Sequence, residues 1–202
     1  MKEKVLQSLV ELRSTESKIG KCRYLLEEAE VLQKKAMSQL CRKQLNKARD
    51  IAWKYEYWDG LIRVNHIERK LVKSYQRKRI GPVIEGLLEE YRLIHERAME
   101  EEKILTVYDR IDPYLRTMAV ARTKGLIEQL NSFLKMHEGK STGDFPSFKA
   151  YRMYLQVKAF YFHTQNRFDE EYAAHRTLYR NWQKRPDHKI EFSHYYRTSL
   201  SN

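Results

Sequence analysis

The chain has 202 residues, with 39 Lys and Arg against 27 Asp and Glu, a formal net charge of +12 and 42% hydrophobic residues. Only seven Gly and four Pro punctuate it, too few for the turns of a β-sandwich or barrel, and its runs of Leu, Ala, Glu, Lys, Arg and Gln are good helix formers. An all-α fold is expected, and no stretch approaches the roughly 18 apolar residues that a bilayer span needs.

Met1, Lys2, Glu3 and Lys4 lead into an amphipathic segment (Val5, Leu6, Leu9, Val10, Leu12) rather than a signal-peptide core, which predicts a soluble cytoplasmic protein. The polar run Ser14, Thr15, Glu16, Ser17 ends that first helix. Two helices, at about 20–36 and 38–56, follow. Asp59, as N-cap, starts a further helix over about 59–78 that carries Leu61, Ile62, Val64, Ile67, Leu71 and Val72, and Gly81 with Pro82 separates it from the next.

From Pro82 the pattern changes. Ile84, Leu87, Tyr91, Ile94, Ala98, Glu101, Leu105 and Tyr108 recur three and four residues apart, the seam of a helix about 45 Å long. Asp112 and Pro113 read as a cap and first turn that begin a return helix bearing Leu115, Met118, Ala119, Leu126, Leu130 and Phe133. That register sets Glu101 level with Arg122 and predicts an ion pair between them, with Leu105 and Tyr108 packing against Leu115 and Met118.

Gly139, Lys140, Ser141, Thr142, Gly143 and Asp144 form the longest loop, which divides the chain into residues 1–138 and 146–202, two parts of one solenoid. After Pro146 comes a second hairpin containing Leu155, Ala159, Phe162 and Phe168. Ile190, Phe192, Tyr195 and Tyr196 open a last amphipathic helix with nothing following to cover it. Such an end is expected in a piece of a longer repeat protein, or in a chain that self-associates there.

Leu25, Ala29, Leu32, Ala36, Cys41, Leu45 and Ala48 carry the strongest packing signal, because Ala29, Cys41 and Ala48 are small enough for two antiparallel helices to approach while the leucines fill the surroundings. In this spacing the segment resembles a tetratricopeptide repeat. The likeness covers residues 25–48, is weaker over 155–168, beyond which Glu171 stands where the second helix of the repeat has a small residue, and is absent over 82–137. It implies a helical-repeat scaffold that binds a protein or peptide partner along a helical surface. The chain is also similar to the N-terminal part of uncharacterised bacterial helical-repeat proteins, a likeness that implies no activity.

The residues offer little for catalysis. His95 and Glu96 begin a zinc-protease pattern, but Met99 occupies the place of the second His. His66, His137, His163, His175, His188 and His194 show no metal spacing, and neither Cys22, near a helix start, nor Cys41, which reads as a buried hydrophobe, lies in a Cys-x-x-Cys pair. No glycine-rich phosphate loop occurs, and Glu100, Glu101 and Glu102 read as a solvated helix face. A non-enzymatic protein without metal or cofactor is expected.

Two surfaces are candidates for binding. Residues 38–80 carry twelve bases against four acids, whereas residues 81–110 carry four bases against eight acids. In the basic zone Arg69, Lys70, Lys73, Arg77, Lys78 and Arg79 offer phosphate contacts, and they equally suit a helix C-terminus. A nucleic-acid-binding protein is the alternative reading. Thirteen of the 24 aromatics fall in residues 146–202 among basic side chains. Packing accounts for them, or else a peptide-binding face built from Tyr151, Tyr154, Lys158, Tyr161, Arg176 and Arg180.

Overall fold

The structure, a computed structural model, describes residues 17–75, 80–117 and 124–200. The opening helix expected over 5–12 lies outside them. The described residues are all-helical, without a strand. In chain order the helices are α1 Lys18–Lys34, α2 Ser38–Lys54, α3 Trp58–Tyr75, α4 Ile80–Thr117, α5 Lys124–Met136, α6 Phe148–Thr164, α7 Phe168–Gln183, α8 Pro186–Glu191 and α9 Ser193–Leu200, with a 3₁₀ turn at Thr142–Asp144. No described helix is long and apolar enough to cross a membrane.

The chain divides into two compact units, Met1–Arg97 and Ala98–Asn202, so the division falls inside α4 and not at the loop of residues 139–144. The reason is packing. Ile104 and Ile111 of α4 share a core with Leu130 and Phe133 of α5 and with the aromatic side chains of α6.

In the first unit α1 and α2 pack antiparallel, and α3 lies against both. The thiol of Cys41 donates to the Ala29 carbonyl at 3.1 Å, and the thiol of Cys22 donates to the Ala48 carbonyl at 3.4 Å. These two contacts are reciprocal, each helix offering one cysteine and one alanine carbonyl, and all four residues are fully buried. Burial pushes the Cys22 thiol up to about 11 and raises that of Cys41. Both therefore act as small packing groups and not as nucleophiles.

The same turn joins α1 to α2, α2 to α3 and α6 to α7. In each, one residue adopts the left-handed conformation (Ala36 φ 58°, Glu56 φ 54°, Asn166 φ 56°). The next amide, of Met37, Tyr57 or Arg167, donates to the carbonyl five residues back at 2.8–2.9 Å, the closure of a Schellman motif. Ala36, expected among the packing residues, is thus an exposed turn residue beyond the end of α1. Its methyl group carries the left-handed penalty in an exposed turn. Ala36→Gly is therefore expected to stabilise the chain by about 0.5–1 kcal/mol, and Asn166→Gly to change little, since Asn tolerates this conformation. Urea midpoints at unchanged slope would show it, and a destabilised Ala36→Gly would rule out the turn.

In the second unit the expected return at Asp112–Pro113 is corrected. α4 continues through both residues to Thr117, with Pro113 inside the helix. An interior proline costs about 3 kcal/mol. Here fully buried Ile111, and Tyr114 and Leu115 packed on the core, offset that cost. Leu105, Tyr108 and Leu115 consequently sit on one helix and cannot face each other across a hairpin, and Met118 lies outside the described residues. α4 and α5 still run antiparallel in another register. Arg110 donates to Gln129 at 2.7 Å and Lys140 lies 3.8 Å from Glu100, two pairs both centred at residues 119–120.

Arg122, the expected partner of Glu101, lies outside the described residues. Glu101 is buried at the N-terminus of α6, where Lys149 pairs with it at 2.8 Å and the N-cap Ser147 donates its hydroxyl to it. The same Ser147 oxygen accepts from the Ala150 amide at 3.0 Å. A carboxylate beside the positive end of a helix, bonded to its cap, is favourably placed. α6 is buried around most of its circumference, from Phe148 to Phe160.

The C-terminal end also differs from expectation. Two short helices, α8 and α9, replace the single one, and Phe192 and Tyr196 pack on the core and leave Ile190 exposed.

Candidate functional site

α7 buries Ala174, Leu178 and Trp182, four residues apart, against the core. That spacing fixes the opposite face outward. Along one side of this face run Phe168, Tyr172 and Tyr179, which are 58%, 68% and 47% exposed. Along the other side run Arg176, Arg180 and Lys184, all exposed and one helical turn apart. None of the three cations makes an ion pair with a described residue. The acids of the first turn are engaged elsewhere: Glu170 holds Arg167, and Glu171 lies 3.0 Å from the Nδ1 of His163. Asp169 remains exposed at the aromatic end.

Of the residues singled out by sequence for a partner, the structure brings Arg176 and Arg180 together on this face. Tyr151 and Tyr154 lie in the core, ringed by Phe145 and Phe133, and burial raises the Tyr154 hydroxyl. Lys158 and Tyr161 are half-buried on α6, the Lys158 ammonium 5.9 Å from the Phe162 ring. Tyr172 and Tyr179, which the sequence reading passed over, supply the exposed aromatic surface. Their spacing from Arg176 and Arg180 was the available signal.

The basic cluster of the first unit is more dispersed. Arg69 is half-buried, with its guanidinium 5.0 Å over the ring of Tyr91, while Lys70 and Lys73 are exposed. Arg77, Lys78 and Arg79 lie outside the described residues.

Sequence reasoning also missed a polar network between α2, α3 and α4. Arg49 binds the carboxylates of both Glu68 and Glu90, the latter at 3.2 Å, and the buried Asn65 amide donates to the Leu87 carbonyl at 2.7 Å. Burial raises the Glu68 carboxyl, and Arg49 opposes that shift. The arrangement gives the start of α4 fixed partners on its neighbours, a positioning role.

Glu171 reaches two histidines, His163 at 3.0 Å and His175 at 4.0 Å. Among the described residues no group of three or more His, Cys, Asp or Glu is placed to hold a metal ion. Burial holds the His175 imidazole below its ordinary value, Glu171 pulls it back up, and His163 adds repulsion. A depressed imidazole favours the neutral folded state, so this contribution to stability is complete above about pH 6.5 and is lost as the pH falls below it. The stability difference between the wild-type chain and His175→Gln is expected to change between about pH 7.5 and about pH 5.5, with the wild type losing more. Parallel pH curves for the two would exclude it.

No family model, curated protein or solved structure matches the chain. What the fold and the surface define is a class: an all-helical protein of antiparallel hairpins with an outward aromatic and basic helix face.

Proposed function

We propose that the chain is a non-enzymatic interaction scaffold of the cytoplasm, built of tetratricopeptide-like helix-turn-helix units, that holds a protein partner on the outer face of α7. The observation that carries this reading is the row Phe168, Tyr172 and Tyr179 beside the uncommitted cations Arg176, Arg180 and Lys184. Tyr, Phe and Arg are the residues most enriched at protein interfaces, and three large aromatics left in water on one helix gain most from being covered. The three equal turns and the reciprocal cysteine contacts support the repeat-like character of the hairpins.

The alternative use of the basic surface for nucleic acid has less support. Sequence-independent phosphate binding draws on several cations of one surface, and Arg69 is stacked on Tyr91.

A photo-crosslinking amino acid at position 172 tests the reading. Crosslinked protein is expected from 172, at a yield much reduced by Arg176→Glu with Arg180→Glu. Crosslinks obtained only from exposed positions on other helices would reject this face as the binding surface.

A further inference from the structure

We infer that the occupant of the α7 face is a second copy of this chain, docking through the first half of its α4. The inference rests on the interaction-surface reading above and names its partner. The complementary surface is on the same molecule. Residues 81–110 carry eight acids against four bases, and on α4 the side chains of Glu85, Glu89 and Glu96 are exposed beside Leu88 and Leu93, which are 39% and 45% exposed. Glu89 holds Arg92 at 2.8 Å, while Glu85 and Glu96 make no ion pair with a described residue.

The two faces carry opposite charge: on α7 the cations run along one side of the aromatics, and on α4 the acids run between Leu88 on one flank and Leu93 on the other. From Glu85 to Glu96 the acids span about 16 Å, and from Arg176 to Lys184 the cations span about 12 Å. Lengths of this kind let one row of charges lie along the other while the leucine on the facing flank covers the tyrosines.

Each copy gives its α7 and receives on its α4. One helix laid on another covers less than a standard stable interface, and the charges are exposed. Association is therefore weak, rising with concentration and falling with salt.

Sedimentation of the full chain tests this with paired charge reversals. The wild type is expected to gain mass with concentration up to roughly 200 µM, a range suited to weak complexes, and to lose it when salt is raised from about 50 mM to about 0.5 M. The variant Arg176→Glu/Arg180→Glu and the variant Glu85→Lys/Glu96→Lys should each stay monomeric, at least ten-fold weaker in association, with unchanged helical circular dichroism. Their equimolar mixture should associate again, since every contact between the two variants is of opposite charge. A monomeric wild type, association that survives either reversal, or a mixture that stays monomeric would overturn the inference. A monomeric wild type that still crosslinks another protein from position 172 would remove the second copy and leave the α7 surface standing. If position 172 crosslinks nothing, both fall.

Discussion

Trp182→Ala is expected to destabilise the chain by about 3–5 kcal/mol, the range for deleting a buried aromatic from a packed core. Trp182 is almost wholly buried and stands edge-on to Phe148, with ring centroids 4.8 Å apart, and to Tyr196 at 5.6 Å. It therefore ties α7 to the start of α6 and to α9 at one point. Edge-to-face pairs add about 0.5–1.5 kcal/mol each beyond the buried area. Its indole N–H meets no acceptor among the described residues, and an orphan donor in a core detracts from stability. Trp182→Phe keeps much of the ring packing and removes that donor, so it should cost well under half as much as the alanine. In a chain of this length the alanine variant should melt lower by about 10 °C. A fall of less than about 2 °C, or Phe and Ala variants of equal stability, would show that this junction is not where the second unit is held together.

How much of this was readable depended on whether the deciding interaction was local. Leu25, Ala29, Cys41, Leu45 and Ala48 were legible as a helix contact, because period and side-chain size are properties of the segment itself, and all five are buried. Ala36 was misplaced. A left-handed turn is set by backbone hydrogen bonds, and alanine carries no mark of it, whereas Asn166 does at the equivalent place. Asp112 and Pro113 show the opposite failure, since their local chemistry does suit a helix start. The buried side chains around them carried the helix through, and that depends on α5 and α6, which the pair cannot report. Once the turn had been placed too early, Glu101 could not be matched to Ser147 and Lys149, which follow it by more than forty residues.

The candidate surface was half legible for a related reason. Arg176 and Arg180 could be picked out, but composition does not separate Tyr151 and Tyr154 from Tyr172 and Tyr179. The first two lie on a helix enclosed by its neighbours and the last two on one with a single packed side. Enclosure is a tertiary property, and it decides which tyrosines are core and which can meet a partner.

In the first unit the corresponding large effect is expected at Cys41. Its sulfur lies 3.1 Å from a carbonyl of the facing helix, so the helices are as close there as a side chain of this size permits. Leu at this position is longer and branched and has no room in the contact. It must push α1 from α2 or adopt a strained rotamer, at a cost of about 1–3 kcal/mol. The displacement would also lengthen the reciprocal contact of Cys22 with Ala48, because the same two helices carry both. Cys41→Ala leaves the spacing intact and loses one weak thiol hydrogen bond and a few packing contacts, about 1 kcal/mol or less. Cys41→Ser preserves a donor of similar reach toward the Ala29 carbonyl and should fall between wild type and Leu. The expected order of denaturant midpoints is therefore wild type, then Ala and Ser, then Leu clearly lowest. Adding Cys22→Ala to Cys41→Leu should recover part of the loss, since it gives the separated helices room to settle, and this makes the two sites non-additive. Equal midpoints for the Leu and Ala variants, or strictly additive effects in the double variant, would mean that α1 and α2 do not depend on close approach at this point.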